Sequence, residues 1–153
     1  MKSFSPPGPS GLLANSTILT LSGEMRVGDV RPGHRIVTRN SGTAVVRAVL
    51  RRQIRFEAIR FLAGSLGDTR PDHDTILPAG QGILIRDWRA QALFGKREAV
   101  IPADRLVDGE FVTRLGPTCM TLCDIAFDRR HVLYVDGFEV VGQVTATVSE
   151  IAA

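Results

Sequence analysis

Long hydrophobic runs are missing from this chain. No window reaches about 18 apolar residues, so no helical membrane span is encoded. Cysteine is scarce as well. The two present, Cys119 and Cys123, are too few for a disulfide framework. At i and i+4 of an apparent strand, both side chains point to one face about 13 Å apart, at roughly 3.3 Å per residue. They cannot pair within a straight strand, and a reducing compartment is the default expectation. A C-x3-C spacing on a strand also lacks the tight-turn geometry of structural zinc sites, and no second pair follows. A metal centre from Cys119, Cys123, His73 and His131 is therefore not expected. Neither a glycine-rich phosphate loop nor an H-E-x-x-H or G-x-S-x-G pattern occurs, and no cofactor is expected.

Charge is not concentrated either. The formal net charge is +3, nearly every basic residue is an arginine, and most arginines are interleaved with acids. Only Arg47 to Arg60 (RAVLRRQIRFEAIR) carries a local excess. A balance this mild is a weak footprint for nucleic acid, and the plain reading of the segment is a solvated strand face. The nucleic-acid alternative requires Arg47, Arg51, Arg52, Arg55 and Arg60 on one face, and binding that falls steeply with salt. Met1 to Ser10 (MKSFSPPGPS) has one lysine and no apolar core; it reads as a flexible leader and not as a secretory signal peptide. A cytoplasmic location, or export without such a peptide, is the expectation.

What the chain has in quantity is punctuation. Eight prolines and fifteen glycines separate short runs rich in valine and isoleucine, the pattern of many short strands. At 153 residues and 44% apolar, one domain burying roughly 70% of its unfolded surface is expected. The stretch Gly11 to Arg47 reads as a β meander: an apolar strand, a turn at Ser22-Gly23, a connection ending in Arg31-Pro32-Gly33, a strand Arg35 to Thr38, then Asn40-Ser41-Gly42 and a third strand. Ala44 to Leu50 and Ile54 to Leu62 read as strands, the second with its alternation shifting at Ile59, a mark of a bulge or bend. Trp88 to Gly95 is the one short helix, with Trp88, Ala92 and Leu93 on a common face and Gly95 as its stop. Phe111 to Arg114, a turn at Leu115-Gly116-Pro117, Cys119 to Phe127 and Arg130 to Val135 read as further strands and a turn. Asp136-Gly137 is a two-residue hairpin signal completed by Phe138 to Val141. The segment from Gly142 onward shows no strong pattern.

The spelling of these segments resembles the Hint domain, the Hedgehog/intein self-processing module, in its bacterial form. Members commonly open with Cys-Phe, Gly-Thr, an apolar strand, a glycine turn, Pro-Gly-Asp and Arg-Val-Leu-Thr. Here Leu12-Leu13 stands at Cys-Phe, Ser16-Thr17 at Gly-Thr, and Val27 to Thr38 follows almost position by position. A second motif, usually Ser-Pro-x-His-Arg, is represented by Pro78 to Gly82, with Pro78 at the hydroxyl position and Gln81 at the histidine. Ala99 to Gly109 (AVIPADRLVDG) matches a later strand closely. His131 lies one residue beyond Arg130, the match to the family's Asp-Arg-His, and reads otherwise as an exposed strand histidine. The resemblance covers about Gly11 to Val141.

The resemblance implies an all-β, flattened body of many short strands, with domain bounds of 1–10 (leader), 11–145 (β domain) and 146–153 (tail). It also implies chemistry in which a Cys or Ser attacks the carbonyl preceding it, assisted by a hydroxyl and a histidine. Leu12 offers no nucleophile. Ser10 and Ser16 are the nearest hydroxyls, but a one-residue change of register turns a strand side chain to the opposite face. An intein's closing His-Asn falls on Val141-Gly142, so cleavage by asparagine cyclisation is not expected. The expectation is a catalytically silent scaffold or interaction module, with Leu12, Thr17, Pro78, Gln81 and His131 as relic positions. Its partner would be another protein or its own flanking domains. The alternatives are autoprocessing from Ser10 or Ser16 and the arginine-mediated nucleic-acid module.

Overall fold

The computed structural model describes residues 10–67 and 70–144. In chain order its strands are β1 (Leu12–Leu13), β2 (Thr17–Thr20), β3 (Gly23–Arg26), β4 (Arg35–Thr38), β5 (Gly42–Val45), β6 (Ala48–Phe61), β7 (Thr75–Pro78) and β8 (Gly82–Ile85). The helix α1 (Trp88–Phe94) follows, then β9 (Ala99–Pro102), β10 (Val112–Phe127), β11 (Val132–Val135), β12 (Phe138–Val141) and β13 (Gln143–Val144). Single 3-10 turns occupy Val27–Asp29 and Ala103–Leu106. The all-β expectation holds, with one α-helix among the described residues. The leader reading, Ser10 apart, and the tail 146–153 lie outside those residues.

Two sheets make the body. One has the order β1-β10-β6-β7, with β13 also on β10; the other runs β3-β2-β4-β11-β12-β8-β9, with β5 on β4. Between them lies the main core, to which the first sheet gives Leu12, Ile59, Phe61, Cys123, Ile125 and Phe127 and the second gives Ile18, Ile36, Ile83, Leu133, Phe138 and Val140. Phe61 meets Phe138 edge to face across this layer, with centroids 5.0 Å apart. Burying each such ring is worth roughly 1.5–3 kcal/mol. Leu13, Phe56, Ala58 and Leu122 form a smaller cluster on the other face of the first sheet.

Four sequence expectations are corrected. The runs 44–50 and 54–62 are not two strands: β5 ends at Val45 and β6 is a single strand of 14 residues, paired along its length with β10. Its shift of pattern at Ile59 does mark an irregularity, since the ladder shifts register opposite Ile59 and Ala58, and the covered face changes there. Phe56 and Ala58 belong to the smaller cluster, whereas Ile59 and Phe61 enter the main core. Likewise 111–114 and 119–127 are joined, because Leu115-Gly116-Pro117 forms no turn. The ladder shifts register between Arg114 and Gly116, leaving Leu115 as an extra, exposed residue. That bulge lets Val112 and Cys123, an odd number of positions apart, both face the main core. The helix buries Ala90 and leaves Trp88 69% exposed, the reverse of the expected face. Finally, Gln143–Val144 pairs parallel with β10 where no pattern was read.

The Asp136-Gly137 hairpin forms as expected, with φ of 52° and 84° at the two turn residues. Asp136 also fastens three elements. Its Oδ1 accepts from the Thr17 N–H at 2.9 Å, its Oδ2 accepts from Thr75 Oγ1 at 3.0 Å, and its own N–H donates to the Thr17 carbonyl. Asp136→Ala should therefore lose about 2–4 kcal/mol in urea unfolding, from two orphaned donors and a disfavoured positive φ. Asp136→Asn, which tolerates that φ and keeps one acceptor, should recover a good part. Equal losses for the two variants would refute this account.

Candidate functional site

The strand β1 is only two residues long, and its register on β10 decides what faces what. Leu12 stands opposite Cys123 and Leu13 opposite Leu122. Alternation sends the Leu12 side chain into the main core and Leu13 into the smaller cluster. Gly11, one residue earlier, takes Leu13's side of the sheet. A Cβ built on Gly11 would lie 3.0 Å from Asp124 Oδ1 and 3.6 Å from Leu122 Cβ, and the backbone there has φ +138°, a conformation suited to glycine.

The peptide bond between Ser10 and Gly11 is held at both ends. Its N–H donates to Gln81 Oε1 at 2.9 Å in a buried contact, and its carbonyl accepts from Arg52 Nη2 at 3.2 Å. Gln81, 2% exposed, turns its amide nitrogen to the carbonyls of Val141 at 2.9 Å and Gly82 at 3.1 Å. One side chain thus ties the start of β1 to the end of β12. The Ser10 hydroxyl accepts from Gln143 Nε2 at 2.8 Å.

Asp124 is fully buried beside this bond. Arg52 Nε approaches its Oδ2 to 2.9 Å, yet the N–H is not aimed at the oxygen, and neither carboxylate oxygen has a hydrogen-bond partner. Burial pushes the Asp124 carboxyl above its ordinary range, and the Arg52 guanidinium pulls against that shift. Neither Gly11 nor Asp124 was singled out from the sequence. The available signal was an aspartate inside the apolar run Leu122 to Phe127.

The other sequence candidates are dispersed. Pro78 is buried at the end of β7 and its carbonyl accepts from the Gln81 N–H at 3.0 Å. Thr17 is engaged with Asp136 through its backbone and has no hydrogen bond to Gln81. Ser16 is buried and lines a cleft of about 260 Å³ with Arg60, His73, Asp74 and Asp136. His73 sits between Asp72 and Asp136, its Nε2 3.4 Å from Asp136 Oδ1. His131 is not the exposed strand histidine of the sequence reading: β11 begins one residue later, and the ring packs 5.3 Å from Phe127 with Nδ1 3.1 Å from Ser41 Oγ. Burial and Arg129 lower its pKa, with Asp128 opposing.

The arginines of 47–60 do not share one face. Arg51 donates to the Gly28 carbonyl, Arg52 is spent on Ser10 and Asp124, and Arg60 lies 3.8 Å from Asp74. Cys119 is exposed and Cys123 buried, both free. Among the described residues no group of three metal-ligating side chains assembles, and no helix is long and apolar enough to cross a membrane.

Two flattened sheets clasping one peptide bond at the first strand, through a side chain from the turn between β7 and β8, define a β domain of the Hedgehog/intein class. The family model of the Hint domain matches residues 10–141, and the chain belongs to that family. Solved structures agree on the fold. A bacterial intein-like domain from Clostridium thermocellum superposes with a TM-score of 0.61 at 13% identity, over 88% of this chain and 99% of that one. A DnaB intein from Synechocystis sp. PCC 6803 gives 0.58 at 14% identity, over 89% and 100%. The Msm DnaB1 intein splicing domain bound with zinc gives 0.55 at 14% identity, over 86% and 98%. Among curated proteins none matches the chain.

The buried carboxyl has a pH signature. With its native pKa raised, Asp124 keeps its proton in the folded chain at pH values where the unfolded chain, titrating near 3.9, has lost it. Its contribution to stability is full below the unfolded value and declines as pH rises through the native one. Urea unfolding across acidic to neutral pH should show that decline in the wild type and not in Asp124→Asn. Parallel profiles would contradict it. His131, with its native pKa lowered, works in the opposite direction: its contribution is lost as pH falls below about 6.5, the unfolded value. His131→Gln should remove that acid-side loss.

Proposed function

We propose that this Hint domain is catalytically silent and serves as a scaffold or interaction module, for another protein or for its own flanking segments. The observation that carries the reading is the occupant of the clasped position. The residue whose N–H rests on Gln81 and whose Cβ would aim at Asp124 is Gly11, which has no side chain. An acyl shift needs a heteroatom nucleophile there. The following residue, Leu12, is 4% exposed and lies in the main core. Gln81 has no proton to exchange near neutral pH, and Pro78 has no hydroxyl to donate. The site is therefore read as a backbone clasp that retains the grip on a peptide bond without the means to break it.

Autoprocessing from Ser10 has one observation in its favour, the engagement of its carbonyl by Arg52. Gln143, however, donates to the Ser10 hydroxyl, which does nothing to remove its proton. Mass spectrometry of a fusion carrying a reporter upstream of Ser10 separates the readings. One intact species is expected after long incubation, with or without added thiol or hydroxylamine. Leu12→Cys should stay intact too, because its thiol enters the core beside Cys123 instead of facing Asp124. A fragment beginning at Ser10, Gly11, Leu12 or Ser16 would overturn the silent reading in favour of autoprocessing.

A further inference from the structure

We propose that Arg39, Arg86 and Arg97, organised by the buried carboxylate of Glu139, form a binding site for a phosphate-type anion. The site lies away from the clasped peptide bond. Arg39 follows β4, Arg86 follows β8, Arg97 lies between α1 and β9, and Glu139 is in β12. Glu139 is 7% exposed and takes a forked contact from Arg86, with Nε at 3.0 Å from one oxygen and Nη2 at 2.9 Å from the other. Two more guanidiniums converge on the same carboxylate without reaching good hydrogen-bond geometry: Arg39 Nε at 3.5 Å and Arg70 Nη2 at 3.8 Å.

A carboxylate carries one charge, so three arginines over-answer it. The surplus is not absorbed nearby. Arg39 and Arg70 have no other side-chain partner and Arg97 has none at all among the described residues, while Asp87 is already held by Arg89. At the cavity Arg39, Arg86 and Arg97 stand with Glu98 and the Glu139 that holds Arg86, while Arg70, which does not line it, adds a further cation on Glu139. The local balance is positive, as a site for a phosphate-type anion requires.

Shape agrees with charge. Arg39, Arg86, Arg97 and Glu98 line a cavity of about 470 Å³ open to solvent. Arg86, pinned by Glu139 through two of its five N–H donors, presents the others on a frame that does not need ordering when a ligand arrives. Planar guanidiniums in this arrangement suit the paired oxygens of a phosphoryl group better than a spherical halide. Glu139 has the role of a positioning residue, holding Arg86 in place.

The test is calorimetric titration of the full chain with inorganic phosphate at constant ionic strength. A saturable single-site isotherm is expected, with chloride and acetate giving none. Arg97→Ala, at an exposed position, should leave the unliganded melting temperature unchanged and weaken phosphate binding about tenfold, the loss expected for one charge-assisted contact. Arg39→Lys keeps the charge, loses the fork and should weaken it less than Arg39→Ala. A phosphoserine peptide identifies the source. Tighter binding than inorganic phosphate assigns the group to a larger molecule, and equal binding assigns it to the free anion; both support the site. Absence of a saturable isotherm would overturn the proposal. So would equal weakening by Arg97→Ala and by Arg114→Ala, an arginine elsewhere on the surface paired with Glu57.

Discussion

The antiparallel pairing of β6 with β10 is the constraint from which the rest of the arrangement follows. The two strands run together from Ala48 opposite Ala126 to Phe61 opposite Val112, longer than any other pairing in the molecule. Their far ends form one wall of the main core, and β10 carries the rail on which β1 lies. Fixing β10 fixes Cys123 under Leu12 and Asp124 beside Gly11. It also brings Arg52 of β6 across to both Asp124 and the Ser10 carbonyl. The single-residue bulge at Leu115 is what allows such a long ribbon to serve this purpose. Without it the two halves of β10 would present opposite faces to the same core.

Gln81 then closes the arrangement from the second sheet. It joins the backbone of Gly11 to that of Val141, segments seventy and sixty positions away from it in the chain. A histidine in that place would exchange protons. A glutamine satisfies one buried N–H and two partly buried carbonyls and stops there, so that polar backbone remains paired where the core closes over it. The neighbouring carboxylate of Asp124 has no such partner. Asp124 and the Arg52 Nε beside it are both buried without a hydrogen bond, and their ion pair at 2.9 Å offsets part of that cost.

Much of the fold was legible in the sequence because its signals are local. The glycine turn at Gly23, the Asp136-Gly137 hairpin, the strand Arg35 to Thr38 and the run Ala99 to Gly109 each announce themselves within a few residues. What could not be read was register. The opening motif aligns Leu12 with the family's first residue, and the ladder of β1 on β10 sends Leu12 inward while bringing the preceding Gly11 to Gln81 and Asp124. One residue of offset exchanges the two faces of a strand, and only the long-range pairing with Cys123 and Leu122 reveals which applies. The joined strands β6 and β10 escaped for a related reason. Arg51-Arg52-Gln53 and Leu115-Gly116-Pro117 look like breaks, and only each strand's partner keeps them extended.

The two cysteines occupy opposite regimes of one strand. Cys119 is exposed on the free stretch of β10, whereas Cys123 is sealed beneath Leu12, and burial raises its thiol pKa against the pull of Arg51. An alkylating reagent thus meets a single accessible thiol on the intact chain and a second one only when β1 lifts away from its rail. The number of adducts on the molecule is a direct count of whether its first strand is seated.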